Sequence, residues 1–203
     1  MITGWTASTT SFVGTCGFSS IIGGYNIFGE GAWAKKTYEG LPGHNSVTVE
    51  WDAYFIDGWG DTGNDDKYLL DVDEINRYSM SYKKNYYSLM NHCGSSDSDY
   101  FTEVSTSSFN HNSSTITLYF HSTLNQTADS ASFGFRNIKI TVDVICTPAC
   151  ATCYGNDISE CYTCNTGWYL LNSTCMTDCG AGLWNNPSGN VCSGDLLYFS
   201  SSK

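Results

Sequence analysis

Basic residues are scarce. Nine Lys and Arg stand against 20 Asp and Glu in 203 residues, a formal charge of −11 at pH 7. Such a chain has no basic face with which to neutralise phosphates, which excludes nucleic acid as a partner. Long apolar runs are missing too. Nothing approaches the roughly 18 residues of a membrane span, so no transmembrane segment is predicted. The start, Met1-Ile-Thr-Gly-Trp5, shows neither a basic n-region nor an apolar stretch, so no signal peptide is visible, as expected of a mature or partial chain. The polar end, Ser200-Ser-Ser-Lys203, does not read as an anchor. Catalytic templates are lacking as well. His44, His92, His111 and His121 are scattered, with no H-E-x-x-H pair, no G-x-S-x-G elbow and no P-loop. Any two of 20 acids could be paired on paper as a glycosidase couple, so that signal is empty. The expectation is a protein that is not an enzyme.

No window carries a useful 3.6-residue apolar period, which argues against helix. Period 2 is present instead. In Ser46–Ile56 the residues Val47, Val49, Trp51, Ala53 and Phe55 alternate with mostly polar neighbours. Thr115–His121 repeats the pattern with Ile116, Leu118 and Phe120, and Ile138–Val144 does so again. Tyr68–Val72 and Arg77–Lys83 read as shorter strands. Turn-rich segments such as Asp57-Gly-Trp-Gly-Asp61 and Gly94-Ser-Ser-Asp-Ser98 separate them. Many short strands between Gly- and Ser-rich turns predict an all-β, antiparallel, jelly-roll-like sandwich over residues 1–145.

Composition changes abruptly at Cys146. Eight of the ten cysteines fall within 47 residues: Cys146, Cys150, Cys153, Cys161, Cys164, Cys175, Cys179 and Cys192. A segment so poor in apolar residues needs a covalent or metal staple. Cys150-x2-Cys153 and Cys161-x2-Cys164 could present four thiolates to Zn²⁺, but only seven residues separate the knuckles and four cysteines are left over. Disulfides use all eight, and the total of ten is even. Disulfides are therefore predicted, which places the chain at the cell surface or outside the cell. Cys16 and Cys93, alone in the first 145 residues, should pair by parity. That bridge closes a loop of 77 residues, worth about 4 kcal/mol in the loop-entropy model.

The run Cys146-Thr-Pro-Ala-Cys150-Ala-Thr-Cys153, followed by Glu160-Cys161-Tyr-Thr-Cys164-Asn-Thr-Gly167-Trp-Tyr-Leu170 and Cys175-x3-Cys179, resembles a furin-like repeat. Such repeats occur in growth-factor-receptor cysteine-rich regions and in arrays in ciliate surface proteins. Residues 146–203 form this second domain. The resemblance implies a non-catalytic spacer with bridges Cys146–Cys153, Cys150–Cys161, Cys164–Cys175 and Cys179–Cys192. In the first domain, Gly23-Gly-Tyr-Asn-Ile-Phe-Gly29, Phe55-Ile-Asp-Gly-Trp59 and Phe133-Gly-Phe-Arg-Asn-Ile138 resemble a β-sandwich module found ahead of furin-like repeats in those ciliate proteins, and are similar to jelly rolls of carbohydrate-binding modules.

Two excesses bear on function. Nine acids lie between Glu50 and Glu74, and Asp57, Asp61, Asn64 and Asp66 on a Gly-rich loop offer hard oxygens suited to calcium, against the plainer alternative of a solvated acidic loop. Aromatics make up 15% of the chain, with 14 Tyr and six Trp. Most should pack the β core. Others could stack on sugars or sit at contacts between copies. The candidates for contacts are Tyr78, Tyr82, Tyr86 and Tyr87, with Trp5 to Phe12. Two functions follow from this. The first is a structural subunit of a coat, fibre or filament, whose partners are copies of itself. The second is a lectin-like glycan-binding module on a cysteine-rich stalk. No cofactor is required by either, with calcium as an optional ligand.

Three sequons, Asn112-Ser-Ser, Asn125-Gln-Thr and Asn172-Ser-Thr, lack proline at the middle position. In a secreted protein at least one should carry an N-glycan in water. A glycosidase that releases N-glycans should lower the mass of the native protein; an unchanged mass would remove both the modification and the case for secretion.

Overall fold

A computed structural model describes residues 3–60, 65–82, 91–95 and 97–194. Every regular element among them is a strand. The chain divides into two compact units: residues 1–41, 47–109 and 114–141, and residues 42–46, 110–113 and 142–203. The expected division at 145/146 compares with 141/142 here, and two short excursions join the second unit.

The strands of the first part are β1 (Thr6–Ala7), β2 (Val13–Cys16), β3 (Ser19–Gly23), β4 (Trp33–Glu39), β5 (His44–Asp57), β6 (Lys67–Val72), β7 (Ile75–Ser81), β8 (Tyr100–Ser105), β9 (Phe109–Asn110), β10 (Thr115–Ser122) and β11 (Ala131–Val144). They form two sheets, ordered β1-β4-β10-β6-β7 and β2-β3-β11-β5-β8, with β9 also on β5. The fold is an antiparallel β-sandwich, as the alternation predicted.

The inner faces meet through aromatic rings. Phe120 of one sheet stacks on Phe135 of the other, with centroids 4.0 Å apart, and meets Trp51 edge-on at 5.5 Å. Trp5 fills in beside both phenylalanines. Tyr68 packs on Phe55 and Phe133. Val47, Val49, Ala53, Ile116 and Leu118 complete a core from which water is excluded. Burial of this kind stabilises by about 25 cal/mol per Å² of apolar surface.

Strand β4 escapes the alternation rule, because its inward side chains are Ala34, Lys36 and Tyr38 and only Ala34 is fully buried. In β11 the fully buried stretch is 131–135, whereas the alternating run 138–144 is only half covered. Asn137, with φ of +53°, lies between the two stretches.

A second, smaller core lies on the outer face of the β5 sheet. Tyr54 and Ile56, opposite in phase to Phe55, cluster with Ile21, Cys16, Tyr25 and Cys93. The Cys16–Cys93 disulfide therefore covers the sheet from outside rather than bridging its interior. Asp57 ends β5 fully buried in the left-handed conformation, with φ of +61°. Its carboxylate accepts from the Ser95 amide and hydroxyl, both at 3.1 Å. Asp99 completes the clasp: one oxygen accepts from the Asp57 amide, and the other from the amides of His92 and Cys93.

The second unit is stapled. Its strands are β12 (Cys150–Cys153), β13 (Cys161–Cys164), β14 (Tyr169–Leu171), β15 (Thr174–Met176), β16 (Leu183–Asn186) and β17 (Val191–Gly194). They form a β12–β13 ribbon and a four-stranded sheet, β15-β14-β17-β16. Its disulfides are Cys146–Cys153, Cys150–Cys161, Cys164–Cys175 and Cys179–Cys192. Its buried cluster is Ala149 with four half-cystines, Cys150, Cys161, Cys164 and Cys175.

Burial raises the Asp57 carboxyl above its ordinary 3.8, the nearby charges of Asp99 and Asp97 add to this, and the Ser95 hydrogen bonds oppose it. A raised folded value means that this group contributes stability when protonated. That contribution is full below the ordinary value and is lost as pH rises through the folded one. Asp57→Asn keeps an acceptor for Ser95 and tolerates the left-handed backbone. It should stay within about 1 kcal/mol of wild type at neutral pH and lose part of the wild-type gain on mild acidification. Asp57→Ala loses the Ser95 hydrogen bonds and places alanine in a left-handed backbone it disfavours, and should cost roughly 1–3 kcal/mol. Urea unfolding across pH checks both.

Candidate functional site

The outward face of the β1-β4-β10-β6-β7 sheet carries an array of aromatic and polar side chains. Burial of Phe120 fixes the phase of β10 and turns Tyr119 and His121 to the other side, because successive side chains alternate. Cross-strand register then sets the neighbours. Tyr119 lies opposite Lys35 on β4 and Asp71 on β6, and Asp71 lies opposite Asn76 on β7. The next row is Trp33, His121, Leu69 and Ser79. Two rows across four strands thus form one surface, about 14 Å wide at the usual strand spacing.

The aromatic half is stacked. Trp33 and Tyr119 have centroids 5.8 Å apart and planes 30° from parallel, and Tyr119 and His121 are 4.9 Å apart. Both edges of the array remain in water: Lys35 and Asn76 are exposed, and Trp33 and Tyr119 are half-buried. The polar half centres on Asp71. His121 Nε2 donates to one carboxylate oxygen at 3.1 Å, and Asn76 Nδ2 donates to the other at 2.8 Å. Their side chains are 25% and 23% exposed for His121 and Asp71, so the carboxylate is oriented yet still reachable. Partial burial and the Asp71 charge raise the Tyr119 hydroxyl above its ordinary value, which keeps it a neutral donor and acceptor. Thr37 and Thr117, hydrogen-bonded at 2.8 Å, continue the surface along β4 and β10. The arrangement offers ring faces beside an oriented acid and amide, without a deep cavity.

The residues singled out from sequence fall elsewhere. Of the calcium candidates, Asp57 is spent on Ser95, Asp66 accepts from the Gly60 amide, and Asp61 and Asn64 lie outside the described residues. Among the described residues no three carboxylates converge to metal-ligand distance. Of the assembly candidates, Trp5 is in the core, Tyr78 packs edge-on against Trp51, and Tyr82 stacks on Tyr100 at 4.7 Å. Phe12 is half-buried, and Tyr86 and Tyr87 lie outside the described residues. Asn112, Asn125 and Asn172 are exposed. The buried His44 and its neighbour His111 meet at 2.7 Å, well away in sequence from any nucleophile motif.

No protein-family model and no curated protein matches this chain. Among solved structures it is similar to the EclA C-terminal domain, a sugar-binding protein, at 19% identity and a TM-score of 0.36, over 53% of this chain and 64% of that one. The chain therefore spans less than two thirds of that domain. It is also similar to the carbohydrate-binding module CBM36 in complex with calcium and xylotriose, at 7% identity and a TM-score of 0.38, over 68% of this chain and 98% of that one. A third is the C-terminal CBM6 of LamC, a marine laminarinase from Zobellia galactanivorans, at 13% identity and a TM-score of 0.39, again over 68% and 98%. Likenesses this distant leave the functional case to the residues of the chain itself.

Proposed function

We propose that the sandwich is a non-catalytic, extracellular glycan-binding module and that the disulfide-rich unit is its cross-linked spacer. The observation that supports this is the Trp33–Tyr119–His121 array beside Asp71. A sugar ring has an apolar C–H face and a rim of hydroxyls. Aromatic rings take the first, as they take any apolar surface with a wet edge. An oriented carboxylate and amide take the second by charge-assisted hydrogen bonds. The open face, with strands running side by side, suits a length of polysaccharide rather than a small enclosed molecule. A chain charge of −11 favours an uncharged glycan over a sulfated or uronic one.

Asp71 accepts two hydrogen bonds within the site, which is a positioning arrangement for a ligand hydroxyl. The competing role, a self-assembling structural subunit, has less support. Trp5 and Tyr78, two residues expected to form its contacts, are engaged inside the sandwich.

Affinity electrophoresis through gels containing neutral polysaccharides should retard the wild-type protein. Trp33→Ala and Tyr119→Ala should each weaken binding about tenfold, or 1.4 kcal/mol, with unchanged far-ultraviolet circular dichroism. Both side chains point away from the core, so the fold should tolerate their loss. Undiminished binding by the double variant would remove the site, and no binding to any polysaccharide would remove the function.

A further inference from the structure

The innermost cysteines of the disulfide-rich unit are closer to one another than two separate bridges require. The Sγ atoms of Cys150, Cys161 and Cys175 all lie within 4.8 Å of one another. Cys150 is bonded to Cys161, and Cys175 is bonded to Cys164. Two cystines therefore abut, and their four residues share one buried cluster, each at most 4% exposed, with Cys164 tied to the three close sulfurs by its bond to Cys175.

We propose that this spot is an alternative metal site: when both cystines are reduced, Cys150, Cys161, Cys164 and Cys175 bind one Zn²⁺ as four thiolates. The spacing fits. With Zn–S near 2.3 Å, tetrahedral sulfurs stand about 3.8 Å apart, so on reduction the two bonded pairs need open by about 2 Å, and the distances from Cys175 to Cys150 and Cys161 need contract by no more than about 1 Å. The scaffold does not depend on the bridges alone. Cys150 faces Cys164 across the β12–β13 ribbon. The Cys161 amide donates to the Ser173 carbonyl, and Asn165 Nδ2 donates to the carbonyls of Pro148 and Cys150. The Thr147 hydroxyl stands 3.3 Å from Cys150 Sγ, placed to donate to a thiolate as outer-shell groups do in metal sites. The ligand set also differs from the one that two C-x2-C knuckles suggest. Cys153 is drawn aside to Cys146, and Cys175, from β15, takes its place.

Each cystine is reduced by one dithiol through a mixed disulfide. The dithiol leaves as its own cyclic disulfide, and two cysteine thiols form. Zn²⁺ then takes four thiolates, and four protons pass to the buffer. The metal keeps its oxidation state throughout. The same four sulfurs thus staple the unit either by two covalent bonds or by one ion, and the redox poise decides which.

The test uses the full chain, reduced with dithiothreitol and desalted under argon. Titration with Co²⁺ should give the visible absorption of tetrahedral thiolate cobalt, saturating at one ion per chain and displaced by Zn²⁺. Alkylation of the zinc-loaded protein, read by peptide mass spectrometry, should leave Cys150, Cys161, Cys164 and Cys175 unmodified while the other six cysteines react. Cys146→Ser/Cys153→Ser and Cys179→Ser/Cys192→Ser double variants should retain the cobalt spectrum. Cys161→Ser/Cys175→Ser should abolish it. A reduced protein without tetrahedral cobalt absorption, or a protected set that includes Cys146, Cys153, Cys179 or Cys192, would overturn the assignment.

Discussion

The two sheets depend on Phe120. Its ring touches Trp5, Trp51, Tyr68 and Phe135, so one side chain joins both inner faces. A strand has only two sides. Seating Phe120 in the core therefore decides where Tyr119 and His121 go, and a slip of one residue would send the site inward and the core into water. Hydrophobic packing inside the sandwich and ring display outside it are one constraint seen from two faces. The same holds on β6, where burial of Leu70 and Val72 turns Asp71 outward.

How much of this was legible in the sequence depends on where the signal is stored. Strands whose inner face is strongly apolar, such as Val47 to Phe55 and Ile116 to Phe120, declare themselves through period 2. Strand β4 does not, because the lysines at 35 and 36 break the pattern on both faces and Ala34 alone is deeply buried. The candidate site was illegible for a related reason. Its members come from four strands, and only register brings Trp33 near Tyr119 or Asp71 near Asn76. Nothing local marks them; the one clue was polar-phase aromatics, Trp33 and Tyr119, on strands whose opposite phase is buried. Cysteine parity and the furin-like spacing, by contrast, carried long-range information, and the bridges in the structure are the pairs they implied. The acidic loop reads two ways because carboxylates serve main-chain amides as readily as cations. Asp57 and Asp66 each accept from a backbone N–H, which is a structural role that composition cannot distinguish from calcium binding.

The two units solve the problem of size differently. The first buries enough aromatic surface to exclude water from a continuous core. The second has no such supply, and its centre is sulfur: four half-cystines around Ala149, with Trp168 and Leu170 packed against them. In so small a core the staple is the core, which is why the identity of the staple matters more there than any single apolar contact.

The placement of the Cys16–Cys93 bond gives the sandwich two tiers of packing. The bridge, Tyr54, Ile56 and Ile21 form a veneer on the outside of one sheet, fastened by the Asp57–Ser95 and Asp99 clasp. None of these contacts lies between the sheets. Parting the veneer would therefore expose its amides to solvent without requiring the inner rings to separate. The Trp33–Tyr119 array lies on the opposite sheet, so the veneer and the array occupy separate faces of the sandwich and the array does not need the veneer to support it.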